Sequence, residues 1–87
     1  MDIAQTIVGR ELLRAEVSRR MFCQLSGKVL DVKTAILLEI NFATSKLTAY
    51  IVVHQSQRST VEKWAVDFAA DKDIASVVIY HGRQLFP

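Results

Sequence analysis

The sequence has few of the residues from which disulfide frameworks and cofactor sites are built. Its 87 residues include one cysteine, one proline and three glycines. Because Cys23 is alone, an intrachain disulfide and a cysteine-based zinc cage are excluded, and a reducing compartment such as the cytoplasm is favoured. Gly9, Gly27 and Gly82 are too far apart to form a phosphate-binding loop. We therefore expect no cofactor.

Long hydrophobic runs and a strong excess of charge are also lacking. No apolar stretch approaches the roughly 20 residues of a membrane span, and the N-terminus does not have the basic and apolar segments of a secretory signal. The net charge is +2, from 11 basic and 9 acidic residues, which is too small to favour nucleic acid or anionic lipid through a global field. These features predict one cytoplasmic domain over residues 1–87, without membrane association.

Hydrophobic residues make up 51% of the chain, and the first group of them recurs at helical spacing over residues 3–26. Gly9 interrupts the pattern, so this segment predicts either one helix to about Leu25 or a strand over residues 3–8 followed by a helix. The single helix is favoured, because a glycine inside a helix costs only about 1 kcal/mol. Gly27 then predicts the end of the helix.

The rest of the chain changes to the period of strands. Apolar and polar residues alternate over residues 34–42, 47–54 and 75–80, which predicts three strands. Between the second and third strands, the capping-box pattern at 59–62 and the spacing of the following apolar residues predict an amphipathic helix. The order is αββαβ, or βαββαβ if residues 3–8 form a strand. This order predicts a small two-layer α+β sandwich of the ferredoxin-like type, with an antiparallel or mixed sheet and two helices on one face.

One face of such a sheet carries an apolar patch that the helices would leave uncovered. By alternation, the patch contains Leu37, Tyr50, Val52, Val78 and Tyr80. Contiguous apolar patches usually mark interaction surfaces, and tyrosine supplies a large rigid contact area. The expected function is therefore a non-enzymatic protein–protein interaction module that forms a homodimer through this face or through an edge strand. The alternative for these residues is that they are strand formers or that the N-terminal helix folds over them.

Nucleic-acid binding is the second function that the residues suggest. The basic residues of the first third are Arg10, Arg14, Arg19, Arg20 and Lys28. They could contact phosphates while Tyr50 and Tyr80 stack on bases. Since Glu11 and Glu16 lie among these arginines, a solvated helix face with local ion pairs is the competing interpretation.

The third possibility is a metal-sensing or small-ligand module. In the predicted topology, His54 and His81 end two strands at the edge of the sheet where the first strand begins, close to Asp31. Two imidazoles and one carboxylate could form an open metal site. No nucleophile elbow or oxyanion loop accompanies the serines or Cys23, so we expect no enzymatic activity.

Overall fold

The computed structural model describes residues 2–87, which form a single open sheet with helices packed against it. The elements are α1 (Ile3–Arg20), β1 (Ala35–Phe42), β2 (Thr48–His54), a 3-10 turn (Gln55–Gln57), α2 (Arg58–Ala69), β3 (Ile74–His81) and the short α3 (Gly82–Leu85). The strand order is β2-β1-β3, and both pairs are antiparallel. The small α+β class and the antiparallel sheet are therefore confirmed, and residues 3–8 are helical.

The central strand, β1, is buried on both of its faces. Ile36 is 2% exposed, while Leu37 and Leu38 are 0% exposed. Because successive residues of a strand point to opposite sides, both faces of the sheet must be covered by other parts of the chain.

Helix α1 covers the face that carries Leu37 and Tyr80. Its Gly9 lies directly against the Tyr80 ring, and the Arg20 guanidinium donates a hydrogen bond of 3.1 Å to the Tyr50 carbonyl oxygen. Burial and the nearby Glu39 carboxylate raise the pKa of Tyr80, as expected for a phenol enclosed between a sheet and a helix.

Helix α2 lies on the opposite face. His81 is the cross-strand partner of Ile36, and its pKa is affected by Arg58 and Glu62 of α2. Val61 is the buried anchor of this helix, with Trp64 half-buried beside the core. The expectation that both helices share one face is thus not met, because the apolar residues on both sides of β1 each require a helix.

Helix α1 ends five residues earlier than its apolar spacing predicts. The last helical residue is Arg20, and Met21 has a φ of 66° with its N–H bonded to the Val17 carbonyl. The chain then forms a tight loop in which the Cys23 N–H donates to the Lys28 carbonyl at 2.8 Å. Gly27, with a φ of 72°, lies in this loop and does not end the helix.

The predicted capping box of α2 is also absent. The 3-10 turn runs straight into the helix, since the Arg58 N–H donates to the Gln55 carbonyl and Gln57 makes no capping bond through its side chain. Glu62 instead accepts a hydrogen bond of 2.8 Å from the Arg58 guanidinium. None of the helices within residues 2–87 has the length and apolar character needed to cross a bilayer.

Candidate functional site

The apolar patch predicted as an interface is part of the core. Leu37, Val52 and Tyr80 are 0%, 4% and 4% exposed, while Tyr50 and Val78 are half-buried. Helix α1 lies over these residues, which is the alternative that the sequence left open. The sheet face is therefore not a free surface in this chain.

The predicted nucleic-acid residues are mostly engaged within the chain. Arg10 donates to the Leu85 carbonyl at 2.7 Å, and the Arg14 guanidinium lies 5.0 Å from the centre of the Phe86 ring. Arg19 and Arg20 are both paired with Glu16. Lys28 projects from the exposed loop after α1. These contacts divide the positive charge of α1 between its middle and its C-terminal end, and they do not form a continuous basic track.

The three candidate metal ligands do not form a ligand set. Asp31 accepts hydrogen bonds from the backbone N–H groups of Lys33 and Thr34 at 2.8 and 3.2 Å, so its carboxylate shapes the turn before β1. His54 Nδ1 accepts a hydrogen bond of 3.1 Å from the Ser56 N–H. Within residues 2–87, no group of three or more histidine, cysteine, aspartate or glutamate side chains could hold a metal ion.

A different site occupies the end of the sheet where His81 lies. This sheet-end cavity has a volume of about 390 Å³ and is lined by Lys33, Ala35, Ile36, Gln55, Arg58, His81, Gly82 and Arg83. The lining includes three permanent cations and one imidazole but no acidic residue. The cations come from three separate segments, namely the turn before β1, the start of α2 and α3. The antiparallel topology brings these three segments together at one end of the sheet.

The electrostatics of the sheet-end cavity are positive. Arg58 is paired with Glu62 at 2.8 Å across a half-exposed surface, whereas neither the Lys33 ammonium group nor the Arg83 guanidinium has a carboxylate within 4.0 Å among the described residues. Burial lowers the pKa of His81, and the charges of Arg58 and Arg83 lower it further against the opposing effect of Glu62. The lowered pKa of His81 thus reflects burial first and the two nearby guanidinium groups second.

Gly82 is required for the shape of the sheet-end cavity. A β-carbon at this position would overlap the Val32 carbonyl oxygen and lie 2.9 Å from the Ala35 carbonyl oxygen. Both are backbone atoms, which cannot move aside as the end of a flexible side chain can. The absence of a side chain at Gly82 thus lets the turn before β1 pack against α3.

The two edges of the sheet form a second candidate site, and they differ in how they are protected. The Phe42 N–H donates to the Leu47 carbonyl, so alternate residues of β1 starting from Phe42 bond to β2 and the others bond to β3. On β3, the N–H and C=O groups of Val77 and Ile79 therefore point away from the sheet. No hydrogen bond within residues 2–87 uses them.

The outer edge of β2 carries a protecting side chain, whereas the outer edge of β3 does not. Arg20, held by Glu16 at 3.2 Å, donates to the outward carbonyl of Tyr50. A charged side chain over an edge strand discourages pairing with another chain. The sequence of β3, Ile74–His81, contains no lysine, arginine, acid, proline or glycine, so no charge or proline protects it, and its one irregularity lies at its start, where Ala75 has no partner on β1.

An exposed apolar groove follows α1. Its volume is about 450 Å³ and its walls include Val17, Met21, Phe22 and Val29. Phe22 is 54% exposed and Val29 is 68% exposed. The early end of α1 turns these residues to the surface, whereas a helix continuing to Leu25 would have placed Phe22 on its apolar side.

Comparison of the chain with protein-family models, with curated proteins and with solved structures finds no match. The sequence pattern placed His54, His81 and Asp31 at this end of the sheet. Of these, His81 lines the cavity, while Lys33, Arg58 and Arg83 were not connected with it. The same topological argument, applied to the basic residues near the strand ends, could have found the sheet-end cavity.

Proposed function

We propose that this chain is a small, non-enzymatic protein–protein interaction module that forms a homodimer by pairing β3 with β3 of a second copy. The observation that carries the proposal is the unprotected outer edge of β3, which is eight residues long and uncharged apart from the terminal imidazole. A cytoplasmic location belongs to the proposal and is supported by the free, buried thiol of Cys23.

A second copy suits this edge because antiparallel edges are self-complementary. The outward donor and acceptor of Val77 in one chain can meet the same groups of the other chain around a two-fold axis. Two three-stranded sheets would become one continuous sheet. Val77, Val78 and Ile79 are still partly exposed in the single chain, so pairing would also bury apolar surface on both faces.

The contrast with β2 supports the choice of edge. An unpaired edge leaves a row of backbone groups in water, and proteins usually block such a row with a charge, a proline or a bulge. Arg20 provides that protection on β2. The irregularity between β1 and β3 lies near Asn41 and Phe42, which leaves the Val77–Ile79 part of the edge regular.

Substitution of Val77 by proline tests the proposal. Proline removes an outward N–H that no residue of the chain uses, and edge strands tolerate proline at such positions. We expect Val77→Pro to be monomeric and folded, while the unchanged protein is dimeric in analytical ultracentrifugation over about a hundredfold range of concentration. Thr48→Pro is the matched control, since it places a proline on the exposed outer edge of β2 and should leave the dimer intact.

A second variant covers the case in which Val77→Pro does not fold. Ala75 is exposed, and Ala75→Lys adds a charge to the same edge without removing a backbone donor, so it should also weaken the dimer. A wild-type monomer at every concentration would overturn the proposal. So would a dimer that both Val77→Pro and Ala75→Lys leave unchanged, because assembly would then use another surface.

A further inference from the structure

We propose that the sheet-end cavity binds the phosphate group of a small anionic ligand, an activity separate from self-association through β3. Three cations, Lys33, Arg58 and Arg83, line the cavity together with His81 and without an acidic residue. Guanidinium groups bind phosphate oxygens through two parallel hydrogen bonds, and lysine supplies a compact positive charge.

The balance of charge distinguishes this cluster from the other arginines. Arg10 and Arg14 contact the C-terminal residues, and Arg20 is held by Glu16. The side-chain nitrogens of Lys33 and Arg83, by contrast, have no carboxylate within 4.0 Å among residues 2–87, and only Arg58 of the cluster is paired, with Glu62. Three cations and an imidazole around one concavity outnumber the single nearby carboxylate, Glu62, so a bound anion would offset the remaining positive charge.

The surrounding backbone also favours an anion. Helix α2 begins at Arg58, its first turn contains no acidic residue, and Gln57 makes no side-chain capping bond. Because Arg58 lines the cavity, the positive end of the dipole of this 12-residue helix lies at the wall, with the Arg58 N–H itself already bonded to the Gln55 carbonyl. The other walls are formed by Ala35, Ile36 and Gly82. The first two have apolar side chains and Gly82 has none, so the specific contacts must come from the polar groups at the rim.

The size of the cavity points to a small molecule and not to a nucleic acid. A volume of about 390 Å³ is within the usual range of about 300–1,000 Å³ for small-ligand pockets. A nucleic acid would require a basic track that continues beyond the cavity. The arginines of α1 are used in internal contacts instead.

Titration with inorganic pyrophosphate tests the proposal. Amide resonances of the full chain are followed by NMR, with sodium chloride added to keep the ionic strength constant. We expect saturable shifts at Lys33, Gly82 and Arg83, and stronger binding at lower pH as His81 gains a proton. A titration with a short single-stranded oligonucleotide is run in parallel.

Three alanine variants show which side chains bind pyrophosphate. Lys33→Ala and Arg83→Ala should each weaken pyrophosphate binding by about tenfold, the usual effect of losing one charge-assisted contact. Lys63→Ala is the matched control, because it removes the same charge from the exposed surface of α2 and should leave the affinity unchanged. All three side chains are exposed, so the fold should be retained.

Three results would overturn the inference. One is the absence of saturable shifts with pyrophosphate in the folded wild-type protein. Another is an equal loss of affinity in Lys63→Ala and Arg83→Ala, which would mean general attraction to the net charge. The third is an oligonucleotide that binds more tightly than pyrophosphate and shifts residues along α1, which would assign the site to nucleic acid.

Discussion

Gly9 of α1 and Tyr80 of β3 are in direct contact, with no room for a side chain between them. A β-carbon on Gly9 would lie 2.6 Å from Tyr80 Cδ1 and 3.0 Å from Leu85 Cδ1. Tyr80 is only 4% exposed, so its ring cannot move outward. This contact is what fixes α1 over the second face of the sheet.

Replacement of Gly9 by alanine should therefore destabilise the protein. The gain in helix propensity is about 1 kcal/mol, but overpacking of a rigid contact costs about 1–3 kcal/mol, so we expect a net loss of about 1 kcal/mol in the free energy of unfolding in urea. The same substitution made in a Tyr80→Val background, where the ring is gone, should be neutral or stabilising. A gain in stability for Gly9→Ala alone would mean that α1 does not press on Tyr80.

Arg20 should matter more to stability than its neighbour Arg19. The Glu16 side chain is only 6% exposed and accepts from Arg20 at 3.2 Å, while Arg19 is 3.7 Å away and 72% exposed. Removing a partner of a nearly buried carboxylate is costly, although some exposure of Arg20 reduces the effect to about 2 kcal/mol. Exposed pairs contribute less than about 1 kcal/mol.

Urea unfolding of Arg20→Ala and Arg19→Ala measures this difference. We also expect Arg20→Ala to form species larger than a dimer, because the Tyr50 carbonyl on the outer edge of β2 is then free to pair with another chain. Equal stability of the two variants would contradict the role that the contacts give to Arg20.

His81 should make stability depend on pH in the histidine range. Burial, with Arg58 and Arg83, lowers the pKa of His81 in the folded protein. The unfolded chain then binds the proton more readily, so the free energy of unfolding should fall as the pH is lowered from about 7.5 through the ordinary histidine pKa of about 6.5.

Comparison with His81→Gln isolates this contribution, since the carboxylates titrate in the same way in both proteins. The loss of stability on acidification should be smaller in His81→Gln than in the wild type. His54→Gln serves as the control for removing a histidine outside the sheet-end cavity. If His81→Gln and wild type had the same pH dependence, the lowered pKa of His81 in the folded protein would be disproved.

The strands and their order along the chain follow from the local pattern of residues. Alternation of apolar and polar residues is a local property, and each of the three periodic segments is a strand in the structure. The short connection at 43–46 also required an antiparallel neighbour for the first strand. The ends of the helices were harder to predict. After α1 ends, Met21 is held by backbone bonds to residues further along the chain, and no local pattern contains such bonds.

Which residues are surface and which are core depends on how the elements pack together. Leu37 and Tyr80 have the alternation of a free sheet face, yet α1 buries them, and the only local sign of that approach is a glycine at position 9. The sheet-end cavity likewise combines Lys33, Arg58 and Arg83, which lie far apart in the chain. Periodicity fixes the direction of a side chain within its own element, whereas burial and charge clustering depend on which elements meet.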